Sequence, residues 1–153
     1  GLTVGLAGSF NRLVISNGAT INNSDGYLGY NSTSSSNVAV VTGAGSTWTN
    51  FGLYTGYSGS GNQLVVSNGG VTRSLGSSHL GFLPGSSNNQ VVVIGAGSQW
   101  TNDVHLNVGN GGAGNQLVVG DGGVVRNNEG TLGLNSTSSS NVVVVSGAGS
   151  LWH

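Results

Sequence analysis

The phrase VTGAGSTWTN at residues 41–50 decides how the chain has to be read, because it recurs at a fixed interval. It returns as VIGAGSQWTN at residues 93–102 and as VSGAGSLWH at residues 145–153, each time 52 residues further along. An internal repeat of this length is typical of a repeat architecture. We therefore expect one continuous segment, 1–153, built from three repeat pairs, 1–50, 51–102 and 103–153.

A shorter period lies inside the 52-residue repeat. An asparagine opens a run rich in valine and leucine six times, at intervals of 25 to 27 residues. These ladder asparagines are Asn11, Asn37, Asn62, Asn89, Asn115 and Asn141. The chain thus divides into six units of about 26 residues.

The residues after each ladder asparagine alternate as they do in a half-buried strand. The positions two and four residues on are apolar in every unit, as Leu64 and Val66 illustrate, and a spacing of two places them on one face of a strand. Glycine-rich turns follow, and no helical period is visible. The fold class predicted is all-β, a right-handed parallel β-helix of about six coils; a β-sandwich is the alternative.

In a β-helix, residues that hold the same place in successive coils stack above one another. The ladder asparagines then form a row of six amides that hydrogen-bond along the rod, and a ligand-binding amide row is the functional alternative.

Tryptophan and arginine alternate eleven residues after the ladder asparagines of the last five units. A guanidinium between two indole faces has good cation–π geometry, so a Trp–Arg ladder is predicted, with an aromatic strip for sugar binding as the alternative. The residues are Trp48, Arg73, Trp100, Arg126 and Trp152.

A third column holds valine in every unit, three residues after the asparagine. Alternation turns it outward, either for its β-propensity alone or as a lateral contact with another chain. This valine column consists of Val14, Val40, Val65, Val92, Val118 and Val144.

Composition restricts the functional class. Only 5% of the residues are charged, against roughly 25% in ordinary soluble domains, and the net charge is −1. The three arginines are spread out, so nucleic acid is an unexpected partner. No apolar run is long enough for a membrane helix, and there is no cysteine. The lack of lysine leaves few sites for trypsin-like proteases, which suits an extracellular protein.

Asp103 and Glu129 are the best candidates for acid–base or metal chemistry. Both stand fourteen residues after their asparagine in neighbouring units, with His105 nearby. Exposed turn residues are the simpler interpretation, so we expect no enzyme, no catalytic or metal site and no cofactor.

Three stretches carry a resemblance to a known class of repeats. GNQLVVSNGG (61–70), YLGYNSTSSSN (27–37) and GAGSTWTN (43–50) are similar to the repeats associated with type V secretion and PEP-CTERM proteins of bacteria. The resemblance implies a β-solenoid passenger of an autotransporter-like surface or secreted protein. It implies no catalytic residues.

These observations favour a structural, extracellular β-solenoid that belongs to a filament of the bacterial surface or matrix. The chain opens with GLTVG, which matches GLYTG at residues 52–56, and neither end carries a polar cap, so we expect a slice of a longer rod or a subunit that stacks end to end. An adhesin passenger that binds glycans is the first alternative, and a polysaccharide-degrading enzyme is the second.

Overall fold

The alternation after each ladder asparagine forms a strand in all six coils. The computed structural model describes residues 1–153 and contains strands and turns but no helix. The strands are β1 (Leu2–Val4), β2 (Arg12–Ser16), β3 (Thr20–Asn22), β4 (Asp25–Leu28), β5 (Val38–Thr42), β6 (Thr47–Asn50), β7 (Gly52–Thr55), β8 (Gln63–Ser67), β9 (Val71–Ser74), β10 (Ser78–Leu80), β11 (Gln90–Ile94), β12 (Gln99–Val108), β13 (Gln116–Gly120), β14 (Val124–Leu132), β15 (Val142–Ser146) and β16 (Leu151–Trp152).

One face of the rod is a six-stranded sheet, which we call the valine face. Its strands lie in the order β15-β13-β11-β8-β5-β2, all parallel. The five pairings keep one register without a shift. Residues at the same distance from their ladder asparagine therefore stack directly, as the sequence predicts.

A second sheet forms the other two faces of the rod. The tryptophan face consists of β3, β6, β9, the first parts of β12 and β14, and β16. The tyrosine face consists of β1, β4, β7, β10 and the second parts of β12 and β14. Each coil thus contributes one strand segment to each face, and the predicted parallel β-solenoid of about six coils is confirmed.

The core lies between the three faces. Eighteen buried apolar residues form one cluster that runs through the coils. The valine face supplies its two inner columns, represented by Leu64 and Val66, and the tryptophan face supplies the largest buried side chains, Trp48 and Trp100. Each strand pairs with strands of the neighbouring coils and not with strands of its own coil. The 100 main-chain hydrogen bonds therefore run largely along the rod.

Candidate functional site

The ladder asparagines form a continuous hydrogen-bonded row at the corner that precedes the valine face. In each step, the main-chain N–H and the side-chain Nδ2 of one asparagine both donate to Oδ1 of the asparagine in the following coil. In the step from Asn62 to Asn89 the two distances are 2.9 and 3.1 Å. Asn37, Asn62, Asn89 and Asn115 are fully buried. The row therefore satisfies buried polar atoms, and its four middle amides are not accessible to a ligand.

A column of glycines makes room for this row. A Cβ atom at Gly29, Gly56 or Gly109 would collide with the side chain of a ladder asparagine, Asn62, Asn89 or Asn141 respectively. These glycines also have positive φ, between 69° and 80°. Both properties exclude other residues, which explains why a Leu-Gly or similar pair precedes every unit.

The predicted Trp–Arg ladder does not form. Trp48 is in register with Thr72, while Arg73 is in register with Thr49 and Thr101. The tryptophans point into the core, where Trp48 and Trp100 are fully buried, and Arg73 points outward to solvent. The indoles and the guanidinium thus lie on opposite sides of the tryptophan face, so the predicted cation–π contact is impossible. The alternative of an open aromatic strip for sugar binding is also wrong, because Trp48 and Trp100 are buried.

The error comes from one residue in a turn. Between the valine and tryptophan faces, the turn Gly43–Ser46 has four residues, whereas the turn Asn68–Gly70 has three. Counting from the ladder asparagine without a gap therefore shifts the register by one. Such a shift moves every side chain to the opposite face of the strand.

The true partners of the tryptophans explain the two-coil chemical period. The inner column of the tryptophan face is Ile21, Trp48, Thr72, Trp100, Val125 and Trp152. Two of the indoles, those of Trp48 and Trp152, lie close to a glycine. A Cβ atom at Gly26 would lie 2.9 Å from Cζ2 of Trp48, and one at Gly130 would lie 2.7 Å from Cζ2 of Trp152. Tryptophan thus alternates with a smaller isoleucine, threonine or valine side chain, because successive indoles in one column would overfill the core.

The three indole nitrogens differ in whether they have a hydrogen-bond acceptor. Nε1 of Trp48 donates to Oδ1 of Asn23 at 2.7 Å, and Nε1 of Trp152 donates to Asn127. The corresponding position below Trp100 is Ser74, whose hydroxyl donates to Asn50 instead. Nε1 of Trp100 and both side-chain polar atoms of Asn102 consequently have no partner. This corner carries a polar defect that the asparagine corner lacks.

The valine column faces outward on the valine face. Val14 and Val144 are exposed, and the other four valines are half-buried by their neighbours. Beside them, Gln63 donates to Gln90 and Gln90 donates to Gln116, with Nε2–Oε1 distances of 2.6 and 2.7 Å. The result is a flat surface of stacked valines and amides without a charged group in its middle coils.

The predicted acid–base group is divided between a salt bridge and a separate histidine–glutamate contact. Oδ2 of Asp103 lies 2.8 Å from Nη2 of Arg73, and Oε2 of Glu129 lies 3.0 Å from Nδ1 of His105. A register shift in β12 between Asn102 and His105 accompanies this separation. No three His, Asp or Glu side chains group closely enough to hold a metal ion.

The most distinctive surface feature is a group of aromatic side chains on and beside the tyrosine face. All four tyrosines of the chain lie in it, although the chain has 153 residues. Two columns of rings stand side by side, with centroids of stacked rings 4.8 to 5.1 Å apart. This tyrosine cluster consists of Tyr27, Tyr54 and His79 in one column and Tyr30, Tyr57 and Phe82 in the other.

The cluster alters the protonation of its own members. Burial, and then the charge of Asp25, raise the pKa of Tyr27 to about 12, and the same two causes raise the pKa of Tyr54. Burial, and then His105, lower the pKa of His79 to about 4. Near neutral pH the cluster is therefore uncharged.

The sequence contained a signal for this cluster. Tyr30, Tyr57 and Phe82 each follow the glycine that makes room for a ladder asparagine, and Tyr27, Tyr54 and His79 stand two residues before that glycine. Alignment on the glycine, rather than on the asparagine alone, brings both columns together.

The chain matches no family model, and no curated protein or solved structure matches it significantly. None of its elements is a helix of the length and apolarity needed to cross a bilayer.

Proposed function

We propose that this chain is a structural, extracellular β-solenoid protein, part of a filament of the bacterial surface or matrix. The observation that supports this role most is the asparagine row, which joins all six coils by two hydrogen bonds per step. A rod of this kind gains contacts with each added coil, because each coil contacts only its neighbours. The separation of Asp103 and Glu129, each in contact with a different partner, supports a role without catalysis.

The row also has a direction, which suits end-to-end association. Every donation goes from one coil to the next, so the coil of Asn11 offers a free Oδ1 acceptor and the coil of Asn141 offers donors. A neighbouring coil at either end, in the same chain or in a second copy, completes that end by the same pair of bonds. Such a head-to-tail contact generates an open filament rather than a closed dimer.

Lateral association through the valine column is a further part of the proposal. Six coils present a flat face of about 450–500 Å², taken from about 4.8 Å per strand and 3.3 Å per residue. A stable interface buries about 800 Å² per partner. We therefore expect side-by-side pairing only between rods of about ten coils or more.

Cryo-electron microscopy of the native, undenatured material tests the filament. We expect long fibres with an axial spacing of about 4.8 Å. For the isolated chain, Asn11→Ala removes the acceptor of the first coil and should shorten any fibres, while the exposed Asn22→Ala serves as the matched control. Discrete rods about 29 Å long at every concentration would contradict the filament.

A second candidate function is contact with glycans, as in an adhesin. The tyrosine cluster favours it, because half-buried aromatic rings concentrated in one place have no counterpart elsewhere on the rod. Aromatic side chains with polar tips are common in recognition surfaces.

A further inference from the structure

A groove of about 400 Å³ runs between the tyrosine cluster and the corner that joins the tryptophan and tyrosine faces. Tyr54, His79, Phe82 and Phe51 supply its aromatic lining. Asp25 and Ser77 contribute polar groups. Aromatic walls with a few convergent polar groups are typical of sites for small ligands.

Phe51 offers an aromatic surface that the fold does not use. Its side chain is 62% exposed, in contrast to the buried tryptophans. The ring lies close to the main chain at Gly76, where an added Cβ atom would be only 3.1 Å from Cε1 of Phe51. One side of the ring therefore rests on the backbone, and the remainder is open to a ligand.

Asp25 brings hydrogen-bonding capacity to the same groove. Its Oδ1 accepts the N–H of Gly52 at 3.1 Å, and its Oδ2 lies 3.4 Å from the hydroxyl of Tyr27. Neither salt bridge of the chain involves Asp25. A carboxylate has about four acceptor positions, so at least two remain for hydroxyl donors.

The groove also presents a donor. Nδ2 of Asn107 lies 3.2 Å from Nδ1 of His79, and Nδ2 of Asn110 lies 3.3 Å from the same nitrogen. Amide nitrogens donate, so Nδ1 accepts and the neutral imidazole carries its proton on Nε2. His79 therefore has an N–H to offer.

We propose that this groove binds an uncharged saccharide, with an apolar sugar face on Phe51 and sugar hydroxyls donating to Asp25. The inference rests on the glycan-contact function proposed above and names its site and ligand class. Asp25 is the only charged side chain that lines the groove, so it disfavours uronic acids and sulfated sugars by repulsion.

The test is an NMR titration of the whole chain with uncharged hexasaccharides of glucose, xylose, mannose or N-acetylglucosamine, and with a hexamer of galacturonic acid. We expect at least one uncharged probe to shift the amide signals of Gly52, Tyr54 and Ser77, and the acidic probe to leave them unchanged. Phe51→Ala should weaken binding about tenfold. Phe10→Ala, which removes an even more exposed ring outside the groove, should have no effect.

Asp25→Asn separates the hydroxyl acceptor from the aromatic contact and should weaken binding about threefold to tenfold. Three results would overturn the proposal: no shift with any uncharged probe at millimolar concentration, tighter binding of the acidic hexamer, or equal losses in the Phe51 and Phe10 variants. Tighter binding of the acidic hexamer, or equal losses in the two variants, would overturn this ligand class or site and leave glycan contact standing. Absence of shifts with every probe, the acidic one included, would remove the glycan function as well, and fibre formation tests the filament separately.

Discussion

The asparagine corner, formed by the ladder asparagines, and the tryptophan corner, formed by the polar residues around Trp48 and Trp100, both rely on asparagine side chains. They differ in how fully their buried polar atoms are hydrogen-bonded. At the asparagine corner, each step of the row has two hydrogen bonds. At the tryptophan corner, the stacked polar residues are Asn50, Ser74, Asn102 and Asn127, and Asn50, Asn102 and Trp100 keep unpartnered buried atoms. The difference shows that stacking of like residues is not enough, because Asn102 is in register with Asn127 and both of its side-chain polar atoms still have no partner.

The comparison predicts the largest loss of stability from the middle of the asparagine row. Asn89→Ala removes the acceptor of both donors of Asn62, which are buried. Two unsatisfied buried donors should lower the free energy of unfolding by about 2–6 kcal/mol, measured by urea denaturation. Asn22→Ala, at an exposed position, should change it by less than about 0.5 kcal/mol. Equal losses in the two variants would contradict the structural role of the row.

The tyrosine cluster should make stability depend on pH. The pKa of His79 is about 4 in the folded chain and 6.5 in the reference state, so the unfolded chain binds more protons between these values. Stability from this group is therefore complete above about pH 6.5 and falls by about 2–3 kcal/mol as the pH drops to 4.

Other titratable groups lie near His79, so a variant is needed to isolate its contribution. The groups near it are Asp25, Tyr54 and His105. His79→Asn places in the column the residue that Asn107 already provides one coil further on. Urea denaturation at pH 4.5 and 7.5 should show a smaller pH difference for this variant than for the natural chain. An unchanged difference would show that His79 does not titrate as described.

The two buried tryptophans should respond differently to the same change. Trp48→Phe removes the hydrogen bond from Nε1 to Asn23, whereas Trp100→Phe removes an Nε1 that has no partner. The loss of volume is the same, so the Trp48 variant should be less stable than the Trp100 variant by about 1 kcal/mol. A larger loss at Trp100, measured by thermal unfolding monitored by circular dichroism, would mean that its indole nitrogen is satisfied.

The smallest effect is expected at the exposed ion pair. Arg73 and Asp103 lie in solvent, with 54% and 34% of their side chains exposed. Arg73→Ala should cost less than about 1 kcal/mol, and added salt should reduce the difference. A tryptophan-stacked arginine would have shown a larger, salt-insensitive loss.

The sequence predicts the valine face and the asparagine row in detail, because both begin at the same residue in every unit and contain no insertion up to the end of the strand. The sequence misplaces Arg73 relative to Trp48, because the turn between the valine and tryptophan faces is one residue longer in one coil than in the next. A count of residues does not show in which turn the additional residue lies. The sequence analysis does not predict the tyrosine cluster, because a connection of varying length separates its residues from the ladder asparagines. Side-chain satisfaction, as at Trp100, depends on distances that no repeat pattern contains.

Hydrogen exchange of the ladder asparagines tests the central claim most directly. The main-chain N–H groups of Asn37, Asn62, Asn89 and Asn115 donate to a side-chain oxygen of the next coil rather than to a main-chain carbonyl. If the row joins the coils, NMR should show these four N–H groups exchanging as slowly as those in the middle of the valine face. Exchange at the rate of an exposed turn would contradict the ladder and the rod built on it.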